Sequence, residues 1–465
     1  ETGTIAPGSL SWTRDYVHYR GHTCYPPTTW LQALTDRCTA FVSGVPCYRD
    51  GNRICVKRSA IAQRGLWNMS APPGPASKSR LINDLEVLRG FGLCVVIFHH
   101  LQGSLLSKTL FTEGPWPSYR GGGAVLDLFF CISGFIITRN LLPQLCEVGS
   151  RTVYWRNARF FWLNRIFRLI PAAWMWLFII LVLCVFYNDS GVFASLETNL
   201  RWTLAGVFNY ANWLFVQYFG HAQAAPSFVY WTLSLEEQFY ICFPLLIGLL
   251  GRRLQWFLIA LVAVQFVQTR GPYGMLFRTD AIAMGALVGI WTANGNWERY
   301  LAKIDIRLIR GALLVLLTVL CYIGDLRQHQ LPLQVGILAL LSGAIVSLAI
   351  GEKDALTGNW WLPRMLLWAG RRSYSIYLCH IPVMYTMRET AYRLGWNMDN
   401  QVLLSIAVCA ALIALVGNAS SQLVEWPIRR RGLGFSQAWL EKKIRESTQT
   451  PQDEPRDRSP GDRSV

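Results

Sequence analysis

Apolar stretches long enough to cross a bilayer recur along the chain between residues 85 and 424. A hydrocarbon core of about 30 Å requires roughly 20 predominantly apolar residues in a helix. Runs of this order are found at 85–106, 121–142, 166–187, 231–250, 253–269, 277–293, 307–323, 332–350, 373–390 and 402–424. The pattern therefore predicts an all-α fold, a polytopic membrane bundle of about ten transmembrane helices.

One further run, 203–218, is amphiphilic and carries two asparagines and a glutamine. Lys and Arg concentrate in cytoplasmic loops of membrane proteins. The arginine-rich loop 143–165 and the Arg429-Arg430-Arg431 cluster fall on the same side only if 203–218 does not span the membrane. We therefore expect this run to be re-entrant or to lie on the surface, with both termini in the cytoplasm.

Composition supports a multi-pass membrane protein whose main partner is the lipid bilayer. Hydrophobic residues make up 52% of the 465 residues and charged residues only 15%, which is too little charge to cover a soluble globule of this size. The net charge of +16 is accounted for by the bias of cytoplasmic loops. Basic stretches interleaved with aromatic residues occur only in the membrane-flanking loops, so we expect no nucleic-acid partner.

The chain divides into three parts. Residues 1–77 are polar, end in a Pro-rich linker, and form an appended segment of unknown role. Residues 78–431 form the predicted membrane domain, and 432–465 a cytoplasmic tail that is largely disordered. Four cysteines of the first part match no zinc pattern and are expected to be reduced thiols: Cys24, Cys38, Cys47 and Cys55. Because the chain does not begin with Met, we expect a processed or trimmed form.

Arg89 and His100 are ionisable residues within or beside the first apolar run, where such groups indicate function. Eleven residues separate them, which places both on one helix face roughly 16 Å apart. Glu86 can lie beside Arg89, whereas His99 points about 100° away from His100. A cation and an imidazole in one chamber suit a site that holds an anion and moves a proton. The alternative is that Glu86 and Arg89 are interfacial anchors and one histidine bonds a backbone carbonyl.

Three other stretches carry candidate polar residues, each with a structural alternative. Glu236 and Glu237 open a span, where Ser234 and Glu237 can form a capping box. Arg278 and Asp280 lie at a membrane edge, before a stripe of small residues that suits helix packing. His380 precedes Pro382, so it is either a site residue or a partner of the backbone near the kink. The sequence has no P-loop and no metal-ligand spacing, and we expect no metal site.

Seven motifs, taken in order, resemble the acyltransferase 3 family of integral-membrane O-acyltransferases. They are Arg89 with His100; Asp127 to Phe135; Arg165, Arg168 and Pro171; Trp231, Glu236, Phe239 and Tyr240; Arg278 with Asp280; Ser373 to Pro382; and Glu425 with Pro427. The resemblance extends from about Leu81 to Arg431. The family usually begins with Asp-Gly-Leu-Arg-Gly, where this chain has Glu86-Val87-Leu88-Arg89-Gly90.

The resemblance implies transfer of an acyl group, typically acetyl, from acyl-CoA to a hydroxyl of a sugar, polysaccharide or glycosylated metabolite. It implies acyl-CoA as a donor substrate and no tightly bound cofactor. His100 would be the general base, since imidazole titrates near neutral pH, and Asp127 or Glu236 would assist it. The substrate-binding residues implied are Arg89, Arg165, Arg168, Trp231, Tyr240, Arg278 and His380.

Two other functional classes fit the same buried groups. A transporter or flippase would use the histidine, arginine and aspartate as a proton relay, but such proteins often show inverted repeats. The sequence shows no such internal symmetry, which favours the enzyme. A non-catalytic membrane scaffold would not need His100.

Overall fold

The computed structural model describes residues 82–116, 118–119, 121–146, 150–218, 224–267, 276–326, 333–351 and 353–449, together with five short strands before residue 58. From residue 82 onward the described chain is mainly helical, as predicted. Its α-helices are α1 (Asn83–His100), α2 (Thr109–Thr112), α3 (Gly122–Cys146), α4 (Arg151–Phe186), α5 (Leu196–Val207), α6 (Ala211–Tyr218), α7 (Tyr230–Leu250), α8 (Leu254–Phe266), α9 (Asp280–Trp291), α10 (Asn296–Leu301), α11 (Ile306–Asp325), α12 (Gln334–Ala349), α13 (Trp361–Arg371), α14 (Ser373–Leu394), α15 (Val402–Ser420) and α16 (Trp426–Gln449).

The strands form one antiparallel sheet inside the segment 1–77, which the sequence indicated only as a polar segment of unknown role. They are β1 (Trp12–Thr13), β2 (Tyr16–Tyr19), β3 (His22–Tyr25), β4 (Cys47–Asp50) and β5 (Arg53–Lys57), in the order β1-β2-β3-β5-β4. Cys24 of β3 lies opposite Cys55 of β5 in the register. The predicted Pro-rich linker lies outside the described residues.

Five helical stretches of the described chain are long and apolar enough to cross a membrane. They are Gly122–Cys146, Arg151–Phe186, Pro226–Phe266, Ile306–Asp325 and Met398–Arg445. Two shorter apolar helices are α9 and α12. The chain is thus a membrane protein, whereas the predicted number of about ten spans is not confirmed. Helices α1 and α14, both predicted as spans, each carry three charged residues and are absent from the five.

The amphiphilic run 203–218 is divided between two short helices, α5 and α6. The chain breaks at Asn209, whose φ of 57° is left-handed, a conformation that asparagine adopts more readily than most residues. The Gln238 side chain on α7 donates to the Asn209 carbonyl (2.8 Å) and to Asn212 Oδ1 (3.0 Å). A single straight span through this run is therefore excluded, and its placement in the membrane stays a prediction.

Glycines let the central helices approach one another closely. Gly285 of α9 lies against the Cys131 carbonyl of α3, and Gly134 of α3 against the Ile282 carbonyl, so that a methyl group at either glycine would collide with backbone. The small-residue stripe of α9 is thus a packing surface, as predicted. Helix α1 meets α13 in the same way, because Gly90 faces the backbone of Leu366. This crossing fixes the part of α1 that bears Arg89.

The C-terminal part differs from its prediction. Helix α15 continues through a π-helical turn, Ser421–Glu425, into α16, which runs to Gln449 and packs on α4 with the Phe435 and Phe167 ring centroids 5.7 Å apart. Pro427 does not end the helix: it stands directly after the π-helical turn, as the second residue of α16. The first half of the tail 432–465, expected to be disordered, is therefore helical, and 450–465 lie outside the described residues.

Candidate active site

A cavity lies between helices α1, α3, α4, α7 and α14. It is lined by Arg89, Leu126, Phe129, Phe130, Ser133, Ile136, Ile137, Arg165, Arg168, Leu169, Thr232, Leu233, Glu236, Tyr240, Ser373, Tyr374 and Tyr377. Five of the predicted site residues thus come together here, although they derive from three helices. The remaining five, which are His100, Asp127, Trp231, Arg278 and His380, lie outside this lining.

Three guanidinium groups give the cavity its positive charge. Arg89 Nη1 donates to Glu86 Oε1 at 2.9 Å, which confirms that these residues are neighbours on α1. Arg165 stands over the Tyr240 ring, with its guanidinium carbon 5.0 Å from the ring centroid. Arg168 lies nearly one turn further along α4 and lines the same space. A planar guanidinium in such a place can bind phosphate or carboxylate through two parallel hydrogen bonds.

Glu236 is the carboxylate of the cavity, and two hydroxyl groups hold it. Ser133 Oγ donates to one carboxylate oxygen and the Tyr240 hydroxyl to the other, both at 2.9 Å. Ser133 belongs to the Asp127-to-Phe135 motif but was not among the predicted site residues. The motif is the only sequence signal for it, because Ser133 lies about 1.7 turns along α3 from Asp127 and so on a different face.

The structure contradicts the capping box at Ser234 and Glu237. Helix α7 begins at Tyr230, one turn before Ser234, so both residues lie in the helix interior. The Ser234 hydroxyl instead accepts a hydrogen bond from the backbone N–H of Ala211, at 3.2 Å, and so ties α7 to α6. The 3-10 turn Pro226–Val229 starts this helical segment earlier than the charge pattern suggested.

His100 ends α1 and lies beside three aromatic rings. Its ring centroid is 5.3 Å from that of His380, 5.4 Å from Phe228 and 5.2 Å from His99. Beyond it the helix is interrupted by a kink, at which Gln102 has a ψ of 99° and Gly103 a φ of 92°.

A row of side chains links His100 to the cavity. Tyr377 lines the cavity, its hydroxyl contacts Thr232 Oγ1 at 2.8 Å, and its ring lies 5.2 Å from His380. His380 in turn adjoins His100. The expectation that Arg89 and His100 line one cavity is therefore not met, because His100 is separated from the lining by Tyr377 and His380.

The two histidines beside His100, His99 and His380, each meet a backbone carbonyl, which was the structural alternative for both. His99 Nδ1 lies 3.2 Å from the Tyr119 carbonyl, which also accepts from Gln102 Nε2 at 2.9 Å. His380 Nδ1 lies 2.6 Å from the carbonyl of Tyr377, one turn earlier on α14. His99 therefore holds the segment that precedes α3.

Asp127 and Arg278 form a buried ion pair. Arg278 Nε donates to Asp127 Oδ1 at 2.8 Å and its Nη2 to Oδ2 at 2.5 Å. Asp127 is fully buried and Arg278 is 3% exposed. The pair ties α3 to the start of α9, which gives this carboxylate a partner other than the predicted His100. Trp231 is also a packing residue here, since it stacks on Phe215 with ring centroids 5.0 Å apart.

Arg429 is a cationic residue near the cavity that the sequence indicated only as part of a cytoplasmic arginine cluster. It lies at the start of α16 and interacts electrostatically with Arg168, Arg89, Glu425 and Glu86. Glu425 itself accepts from Ser375 Oγ at 2.6 Å, so it joins the end of α15 to α14. A charge count of loops cannot distinguish such a residue from a general cytoplasmic cation, because the distinction depends on where α16 folds back.

The amino-acid sequence is similar to that of a known family and to several named proteins. Residues 82–419 match the family model described as Acyltransferase domain, the acyltransferase 3 family. Similar proteins include the O-acetyltransferase OatA of Staphylococcus aureus, 26% identical over 394 residues that cover 78% of this chain and 60% of the relative. The putative peptidoglycan O-acetyltransferase YrhL of Bacillus subtilis is 27% identical over 79% of this chain and 58% of the relative. The peptidoglycan O-acetyltransferase OatA of Listeria monocytogenes is 26% identical over 76% and 56%.

This chain therefore spans less than two thirds of the length of each of these relatives. No solved structure matches it significantly. The family model nevertheless covers well over half of the chain, including the cavity and His100. The chain belongs to the acyltransferase 3 family.

Proposed function

We propose that this protein is an integral-membrane O-acyltransferase that transfers an acyl group from acyl-CoA to a hydroxyl of a carbohydrate. The acyl group we propose is acetyl. Family membership supports the reaction class. The names of the similar proteins support acetyl as the group and a carbohydrate hydroxyl as the acceptor. Acyl-CoA enters the proposal as substrate, not as a resident cofactor.

The cavity with its arginines is the single observation that carries the donor assignment. Arg89, Arg165 and Arg168 converge on one space, with Arg429 in electrostatic reach. Coenzyme A carries phosphate groups, and guanidinium groups bind phosphates strongly through charge-assisted hydrogen bonds. The apolar part of the lining, for example Phe129 and Leu169, suits the uncharged arm of the donor.

The predicted topology gives the two substrates opposite approaches. With the N-terminus in the cytoplasm, α1 starts on the cytoplasmic side, so Arg89 lies nearer the cytosol than His100. Acyl-CoA would enter from the cytosol through the cavity and carry its thioester past Tyr377 to the side of His100 where the acceptor binds. The acceptor hydroxyl would then approach His100 from the other side.

In the proposed step, His100 is the general base. As the acceptor oxygen attacks the thioester carbonyl, the hydroxyl proton moves to an imidazole nitrogen. The carbon–sulfur bond breaks, an ester forms, and the proton returns to the sulfur of the departing coenzyme A. A positioned base of this kind contributes about 10²–10⁴-fold to a rate.

The test uses the full chain in lipid nanodiscs, with acetyl-CoA as donor and an N-acetylglucosamine pentamer as acceptor probe. Release of coenzyme A thiol gives the rate, and mass spectrometry identifies the acetylated sugar. His100→Ala should lower turnover about 10²-fold or more, with unchanged expression and thermal melting. Cys94→Ala, an exposed position on the same helix, is the matched control and should behave as wild type. Normal turnover of the His100→Ala protein would refute the assignment of the base.

A further inference from the structure

The tautomer of His380 follows from its partner. A carbonyl oxygen only accepts hydrogen bonds, so the 2.6 Å contact with the Tyr377 carbonyl requires that His380 Nδ1 carries a proton and donates it. In the neutral imidazole the other nitrogen, Nε2, is then an acceptor with a lone pair. The backbone of α14 thus sets the direction of this lone pair.

His380 Nε2 has no hydrogen-bond partner among the described residues, although the side chain is fully buried. Buried polar atoms are paired as a rule, and an exception in a folded protein calls for an explanation. The imidazole that faces it from another helix is His100, at 5.3 Å between ring centroids with the planes inclined by 43°. Two imidazoles joined by an N–H···N bond of about 3 Å have centroids roughly 5 Å apart.

The groups around His100 leave His380 as the partner best placed to orient it. On its own helix His99 faces it, at 5.2 Å between ring centroids, but His99 Nδ1 is held by the Tyr119 carbonyl. The turn before α7 contributes Phe228, which has no polar atom in its side chain. On α14 the nearby titratable groups are His380 and, behind it, Tyr377, whose hydroxyl donates to the Val229 carbonyl at 3.1 Å.

We infer that His380 is the positioning residue of the base, rather than a substrate-binding residue. Its Nε2 accepts an N–H from the His100 ring when that ring turns toward it, which fixes the tautomer of His100 and leaves the other nitrogen to face the acceptor hydroxyl. This inference rests on the proposed function, in which His100 is the base. The arrangement resembles other catalytic histidines whose second nitrogen is fixed by a hydrogen bond.

The proton balance of the step is unchanged. The acceptor hydroxyl gives its proton to the unbonded nitrogen of His100, which becomes an imidazolium with two N–H groups. One of these continues to donate to His380 Nε2. The positive charge of the His100 imidazolium is therefore stabilised by the Nε2 lone pair and does not form in apolar surroundings. The other returns its proton to the thiolate of coenzyme A after the carbon–sulfur bond breaks.

The experiment compares His380→Phe, which keeps a ring but has no acceptor, with His380→Gln, which supplies an amide oxygen. Assays are those with acetyl-CoA and the N-acetylglucosamine pentamer. We expect His380→Phe to lower kcat about 10- to 1,000-fold, less than the roughly 10⁴-fold loss seen when a triad histidine takes the wrong tautomer. The KM for acetyl-CoA should stay within about twofold, because donor phosphates bind elsewhere, and His380→Gln should recover part of kcat.

The pH–rate profile is the readout that a purely structural role would not move. Without an acceptor beside it, protonated His100 is less stable, so the acidic limb of kcat should move to lower pH in His380→Phe. Two results would overturn the inference: an unchanged kcat and profile in His380→Phe, or a folded His380→Gln protein as slow as His380→Phe. An inactive His100→Ala beside a normal His380→Phe would reject the positioning role alone, whereas an active His100→Ala would reject the proposed function.

Discussion

Gly370 of α13 lies against the backbone carbonyl of Glu86, in the turn of α1 that carries Arg89. Gly90 makes the reciprocal approach to Leu366, so the two helices cross with backbone on backbone. The glycine of the Leu-Arg-Gly motif is therefore explained by packing. The crossing holds α1 in the position from which Arg89 enters the cavity.

Gly90→Ala and Gly370→Ala should each destabilise the protein, because the added methyl group would meet a carbonyl that cannot move without separating the helices. Overpacking of this kind costs about 1–3 kcal/mol. The apparent melting temperature in nanodiscs measures the loss. Gly311→Ala is the control, since nothing lies within 4 Å of that position on α11, and alanine in a helix should stabilise by roughly 0.5–1 kcal/mol. Equal melting of all three variants would show that the crossing is not tight.

Arg89→Ala and Arg165→Ala should raise the KM for acetyl-CoA more than they lower kcat, if the cavity holds the donor phosphates. Losing a hydrogen bond to a charged group costs about 1.5–3 kcal/mol, which corresponds to roughly 10- to 150-fold in affinity. Titration with coenzyme A by calorimetry measures the binding directly. Arg252→Ala removes an exposed arginine outside the lining and should leave affinity unchanged. Unaltered coenzyme A binding in both cavity variants would show that these arginines are structural.

Asp127→Asn should destabilise the protein by up to about 3–5 kcal/mol, because it removes the charge of the carboxylate that pairs with the buried Arg278 guanidinium and leaves Asp280 as its acidic neighbour. The difference in melting temperature between the wild-type protein and the Asp127→Asn variant measures this loss. Glu197→Gln, which breaks the exposed pair with Arg201, should have little measurable effect. A stable Asp127→Asn protein with reduced kcat would contradict this interpretation and favour the role beside His100 that the family resemblance implies.

Glu236→Gln should lower kcat while the protein stays folded, because one of the two donating hydroxyls would face the amide NH2 group, which does not accept a hydrogen bond. Tyr240→Phe and Ser133→Ala each remove one donor to Glu236, and each should lower the free energy of unfolding by about 1.5–3 kcal/mol, the range for a hydrogen bond to a charged group. Comparing kcat in the three variants separates the charge of the carboxylate from its hydrogen bonds. If Glu236→Gln has wild-type turnover, the carboxylate has no part in the reaction.

Local periodicity was enough to predict the pairs that one helix creates. Glu86 and Arg89 are three residues apart on α1, and their ion pair follows from helix geometry alone. The small-residue stripe of α9 likewise indicated close packing. Each of these relationships lies within a few turns of one element, where spacing determines position.

Relationships between distant segments were not predictable in this way. Asp127 and Arg278 are 151 residues apart, and neither motif indicates that these two side chains form an ion pair. The row from Tyr377 through His380 to His100 likewise depends on how α14 packs beside the end of α1. The helical spacing placed Arg89 and His100 on one face of α1. The neighbouring helices nevertheless give them different surroundings, because Arg89 lines the cavity and His100 packs against His380.

Helix α4 has 36 residues and is about 54 Å long. Even at a tilt of about 40°, it reaches well beyond a hydrocarbon core of roughly 30 Å. Its apolar half follows Leu169, whereas Arg151, Arg156 and Arg159 occupy the overhanging end. For the proposed donor, a polyanionic carrier that diffuses in water, these arginines would be the first protein charges met outside the lipid, so discrimination between charged and uncharged donors would begin at the water boundary.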